Sequence, residues 1–177
     1  MLLYLSDPIM VPQNASMRKS AFVKEKCFLY LGMQTKAAPA RAIALFDEYH
    51  QEIVNPVALV LKAAKGIKIH FFDAFLKMAH LQKNQLAAFI HATPRTIDNY
   101  RQKNGVFGRV ESEQLLQLLA LYKKGEEIFG STDAFSAWLT SDAIGLGKIK
   151  PFDLLYTQGG INLVMEELLR IEFGALA

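Results

Sequence analysis

Cysteine is almost missing from this chain: Cys27 is the only one in 177 residues, so no disulfide can form within it. The four histidines (His50, His70, His80, His91) do not stand with it at metal-ligand spacing. No metal and no cofactor are expected. Long apolar runs are also absent. VALVL is stopped by Lys62, far short of the ~18 residues that read as a membrane helix. The opening MLLYLSDP has too short an apolar run, and no basic leader, for a secretory signal. These shortages point to a cytoplasmic protein with no membrane association.

Catalytic groupings are wanting as well. Ser131, Ser136 and Ser141 have no nearby histidine with an orienting acid. Glu166 and Glu167 are adjacent on a helical stretch and so point two ways, as on a solvated face. GLG at 145–147 lacks a preceding strand and the full spacing of a dinucleotide fingerprint. An enzyme is not expected.

What is present is apolar material and an uneven charge. The chain is 51% hydrophobic and 11% aromatic, enough to bury a core and too much for a disordered chain. Residues 62–110 carry nine basic residues against two acidic ones, Asp73 and Asp98. Residues 111–177 reverse this, with five basic and ten acidic. A basic block followed by an acidic one suggests two kinds of surface, the first suited to a polyanion.

The periodicity is helical nearly throughout. Pro39 to about Val54 reads as a helix with Ile43, Phe46 and Ile53 near one face. Asn55 caps a second that stops at Gly66. Phe71 to Leu81 places Phe71, Phe75 and Met78 on one side, and Asn84 to His91 turns Leu86, Phe89 and Ile90 inward. The stretch after Glu111 is a longer helix with Leu115, Leu118, Leu119 and Tyr122 in register, open to a break at Gly125. Ser131 caps the segment holding Trp138, the single tryptophan, which is expected to be buried against the long helix. Pro151 opens a short piece, Gly159-Gly160 interrupts, and INLVMEELLRIEF closes with Ile161, Val164, Met165 and Leu168 on one face. The expected fold is all-α. Its organisation is an N-terminal helical region (1–60), a helix-turn-helix DNA-binding bundle (61–130) and a small helical domain (131–177).

The helix-turn-helix reading rests on FIHATPRTIDNYRQKNG, residues 89–105. Thr93 can cap a helix whose first position, Pro94, tolerates a missing N–H, and Gly105 suits a stop. The second helix of such a motif enters the major groove. Arg95, Thr96 and Asn99 would face the bases, while Ile97 and Tyr100 face the core. Arg101, Lys103 and Arg109 are placed for phosphates. Asp98 opposes this, since a carboxylate repels phosphate.

In order, three pieces resemble a known family. LAAFIHATPRTIDNYRQKNG resembles its helix-turn-helix, with Arg95-Thr96-Ile97 after the Thr93 cap. VESEQLLQLLALYKKGEEIFG resembles its next helix, from Glu111-Ser112 to Phe129-Gly130. The remainder carries Trp138-Leu139, Leu146-Gly147, Pro151, Leu154-Leu155, Thr157, Val164, Leu168, Arg170-Ile171 and Phe173-Gly174. The set resembles the Xre-type antitoxins with an MbcA/ParS-like toxin-binding domain, paired with RES-domain toxins.

The resemblance implies an antitoxin that holds a RES-type toxin through its C-terminal domain and binds its own promoter DNA as a homodimer. Leu146, Pro151, Glu166, Arg170, Glu172, Phe173, Gly174 and Leu176 would lie at or near the toxin. It also puts His91 where such turns often carry a left-handed glycine. Two other readings remain open. One is a stand-alone regulator whose C-terminal domain dimerises or senses a ligand. The other is a helical interaction module, favoured if Arg95 and Arg101 are ion-paired and covered.

Overall fold

The computed structural model describes residues 47–174. Most of the expected N-terminal region, Cys27 and Leu176 lie outside the described residues. The elements run α1 (His50–Val54), α2 (Pro56–Lys65), α3 (Ile69–Ala79), α4 (Lys83–Phe89), α5 (Pro94–Lys103), α6 (Arg109–Phe129) and α7 (Thr132–Leu139). A 3₁₀ turn (Ile144–Leu146), α8 (Pro151–Leu154) and α9 (Gln158–Glu172) complete the order. The fold is all-α. Among the described residues, extended pairing is confined to two isolated bridges, Lys68–Val106 and Ala143–Ile149.

The caps explain most boundaries. Asn55 accepts from the Val57 amide at 2.9 Å, Ser131 from Ala134 at 3.1 Å and Thr157 from Gly160 at 3.0 Å. Each satisfies an amide that has no partner within its helix. Gly66 ends α2 at φ 82° as expected. The left-handed residue that ends α5 is Asn104 (φ 47°), one before the expected Gly105. Asparagine tolerates that region better than most residues.

Two expected breaks do not occur. α6 runs unbroken through Gly125, because that glycine serves packing rather than termination: a side chain there would strike the Phe135 ring. The missing Cβ lets α7 lie close on α6. Likewise α9 starts at Gln158, with Gly159 and Gly160 inside its first turn behind the Thr157 cap. The cap offsets their poor helix propensity.

α6 is the shared spine, against which α1, α2, α7 and α9 all pack. Its buried residues include Leu115, Leu118, Leu119 and Tyr122. Tyr122 sits edge-on to Phe75 (5.2 Å) and Phe135 (5.1 Å), and its burial pushes the phenol well above its ordinary value. Trp138 is buried as expected, stacked on Phe135 at 5.8 Å and against Phe129 at 5.4 Å. Buried apolar residues from Tyr49 to Ile171 belong to one connected cluster. Each large one contributes roughly 1.5–3 kcal/mol relative to exposure.

Candidate nucleic-acid interface and partner face

The turn between α4 and α5 is short because it is closed by local bonds. Phe89 and Ile90 are fully buried, and the His91 and Ala92 amides donate back to the Ala88 (3.1 Å) and Ala87 (2.8 Å) carbonyls. His91 takes the left-handed conformation, φ 55°. Thr93 then caps α5, accepting from the Thr96 amide at 3.1 Å, with the two hydroxyls 2.9 Å apart. Pro94 occupies the first position. This is a helix, a tight turn and a second helix, as the sequence suggested.

α5 buries Ile97 completely and tucks Tyr100 edge-on against Phe107 at 5.1 Å. Its opposite face is polar. Arg95, Asn99 and Lys103 recur at four-residue spacing and all three are exposed, with Thr93 exposed and Thr96 half-buried beside them. Arg109 is exposed in the first turn of α6. No carboxylate pairs with Arg95, Lys103 or Arg109 among the described residues.

Arg101 differs from these. Its Nε donates to Asp73 on α3 at 3.0 Å and a terminal nitrogen bonds the same carboxylate, while the other reaches Asp98 at 3.4 Å. Asp98 in turn accepts Lys83 Nζ on both oxygens at 2.9 Å. The Lys83 ammonium holds the Asp98 carboxyl below its ordinary range, and the Asp73 carboxylate raises Arg101 further. So Asp98, an obstacle to phosphate when considered alone, is neutralised from two sides. Of the two arginines whose covering would favour a module without DNA binding, only Arg101 is paired.

The base of the motif is fixed by a residue that local pattern could not single out. Ser112 is fully buried; its hydroxyl accepts from the Ile67 amide at 2.9 Å and donates to the Phe107 carbonyl at 3.3 Å. Phe107 N–H also donates to Ile67 at 2.8 Å. One hydroxyl thus ties the start of α6 to the segments before α3 and after α5.

The C-terminal region presents another surface. Six large apolar residues between 144 and 173 are exposed: Ile144, Ile149, Tyr156, Leu163, Leu169 and Phe173, the last by 80%. Glu166 and Arg170 are exposed beside them. Glu172 is tied back to Lys124 of α6 at 2.7 Å. Pro151 is buried and Leu146 half-buried against the core, so neither is as open to a partner as expected. Gly174 follows α9 at φ 73°.

Glu167 corrects an expectation. It does not point outward with Glu166 but is buried, its carboxylate against Gly145 and bonded by Arg170 Nε at 2.7 Å. The cause is register. Residue 167 falls on the face of Val164, Leu168 and Ile171, and Gly145 leaves room for the carboxylate where a Cβ would not.

The helix-turn-helix and this apolar face rest on one another through Phe89, whose ring meets Phe152 at 5.1 Å and Tyr156 at 4.8 Å. The all-α chain thus presents an exposed polar second helix and exposed apolar residues in its C-terminal region. Residues 124–174 match the antitoxin Xre/MbcA/ParS C-terminal toxin-binding domain. The chain is 26% identical over 132 residues to the Prs ADP-ribosylating antitoxin of Sphingobium sp. (strain YBL2), covering 70% of this chain and 83% of that one. It is 23% identical over 135 residues to Antitoxin Xre of Yersinia enterocolitica, covering 76% of this chain and 91% of the relative. A stretch of the DNA polymerase beta of African swine fever virus is 24% identical over 117 residues, which is 10% of that protein. The domain match and the two antitoxin relatives support an Xre-type antitoxin whose residues 124–174 form the C-terminal toxin-binding domain. Among the described residues, no helix is long and apolar enough to cross a membrane.

Proposed function

We propose that this antitoxin neutralises a RES-type toxin with the face formed by α9 and the 144–149 turn, and binds its own promoter with α5. The observation that carries the first half is the exposed apolar group between Ile144 and Phe173, which falls within the matched toxin-binding segment. Exposed apolar groups rimmed by charge mark protein partners. The Sphingobium relative's name ties that protein to ADP-ribosylation, a chemistry that consumes NAD, in keeping with a toxin of the NAD-using class.

The second half is supported by the exposed Arg95–Asn99–Lys103 stripe on a capped helix. Arg can pair with guanine and Asn with adenine, while Lys103 and Arg109 would meet phosphates. Binding as a homodimer would match a palindromic operator. The chain's own role is binding rather than catalysis.

Co-expression with the neighbouring toxin gene tests the first half. The antitoxin should restore growth, and Phe173→Asp should not, although Phe173 supports no core. Full rescue by Phe173→Asp together with Leu169→Asp would rule out this face. A fluorescence titration on promoter DNA tests the second half, with affinity expected to fall as salt rises.

A further inference from the structure

We propose that Arg101 is a positioning residue, which together with Asp73, Asp98 and Lys83 fixes the pose of α5 and does not itself contact DNA phosphate. The inference rests on the proposal that α5 binds DNA, and it assigns a role within that site. α5 is thinly anchored by packing: in ten residues it buries only Ile97 fully. A helix held by one buried residue and the half-buried Tyr100 can still roll about its axis. Two charge contacts oppose that roll, from two different helices. Asp73 of α3 takes Arg101 through Nε and a terminal nitrogen, the forked geometry that makes arginine–carboxylate pairs directional. Lys83 of α4 takes both oxygens of Asp98, and Asp98 also accepts from Arg101.

All three guanidinium nitrogens are therefore directed at carboxylates. The four residues together carry no net charge, so they add nothing to attraction for a polyanion. On the helical wheel Arg101 lies roughly 160° from the centre of the Arg95–Asn99–Lys103 stripe.

The test uses the full chain and promoter DNA, and turns on a sign. Asp73→Asn removes a negative charge and frees Arg101. If Arg101 were a phosphate contact, binding should tighten. If it is a positioning residue, binding should weaken by roughly threefold to tenfold, the range for a small exposed ion-pair network. Arg101→Gln should weaken binding by a similar factor while leaving the slope of log affinity against log salt unchanged. Lys103→Ala should instead lower that slope by about 0.9, the loss of one phosphate contact. The double variant Asp73→Asn/Arg101→Gln should be no weaker than either single one. Amide hydrogen exchange gives a readout without DNA: both single variants should speed exchange in residues 94–103 and leave the centre of α6 unaffected.

Tighter binding by Asp73→Asn, or a slope lowered by Arg101→Gln as much as by Lys103→Ala, overturns the proposal. So does exchange that is unchanged in α5, or that rises equally throughout the chain. Absence of salt-dependent binding by the unaltered protein overturns the DNA reading itself and this inference with it. Binding by the unaltered protein with either contrary variant result overturns the inference alone.

Discussion

The helix-turn-helix and the C-terminal segment meet solvent in opposite ways. α5 turns charged and polar side chains outward, keeps one residue in the core and settles its surplus charges in a network with α3 and α4. α9 buries six residues, one of them the carboxylate-bearing Glu167, and leaves Leu163, Leu169 and Phe173 in water. The first region is held partly by electrostatics and offers charge; the second is held by packing and offers apolar area. Salt should therefore weaken contacts of the first and leave those of the second largely intact. The two regions share one core, which connects them without making their surfaces alike.

The largest predicted effect asks whether that shared core is real. Trp138→Ala should lower stability by about 3–5 kcal/mol, the cost of deleting a large buried aromatic. Denaturant unfolding should show a single transition when followed by signals from either region. Two separate transitions would break the comparison into two independent units.

Next in size is the partner face. Phe173→Asp should cost about 2–4 kcal/mol in toxin affinity, as for a central interface aromatic, while leaving DNA affinity and melting temperature unchanged. A truncation must begin after Glu172, because Ile171 is buried and Glu172 is bonded to Lys124. Cutting further would confuse misfolding with lost contact.

On the DNA side, Arg95→Ala and Asn99→Ala should each cost about 1–3 kcal/mol in promoter affinity and relax sequence preference. Growth rescue should be unaffected. Equal loss of both activities would mean that the two surfaces are not separable.

The smallest effect concerns acid. Asp98 has its folded value lowered from 3.8, chiefly by its bond to Lys83. A depressed carboxylate stabilises above its unfolded value and loses that contribution as pH falls through the folded one. The unaltered protein and Asp98→Asn should thus differ in melting temperature at pH 7, and the gap should close below about pH 4. The gap should also shrink in high salt. A gap that persists at low pH would mean Asp98 acts through packing.

Much of this was legible in the sequence because the signals are local. Asn55, Thr93 and Ser131 each bond an amide two or three residues on, so spacing alone marks those helix starts. The inward residues of α3 and α4 follow from a 3.6-residue period. What escaped notice is non-local. Gly125 looks like a stop until Phe135 is placed on it, and Glu167 looks solvated until Gly145 opens a space beneath it. Arg101 reads as a phosphate contact until Asp73, 28 residues away in sequence, arrives at its guanidinium. Ser112 bonds an amide 45 residues away. No local period carries such information.

The seam at Phe89 bears on how such a protein can change over generations. Its ring lies between the turn before α5 and the rings of Phe152 and the exposed Tyr156. Drift at Phe89 would disturb the setting of both surfaces together, so it is closed to gradual substitution. Drift at Leu163, Leu169 or Phe173 disturbs neither the core nor the other surface. On the proposed function, a lineage can therefore retune its partner face one exposed residue at a time while the polar face of α5 is inherited intact. Stability sets only a small toll on that path, least at Phe173, which is 80% exposed.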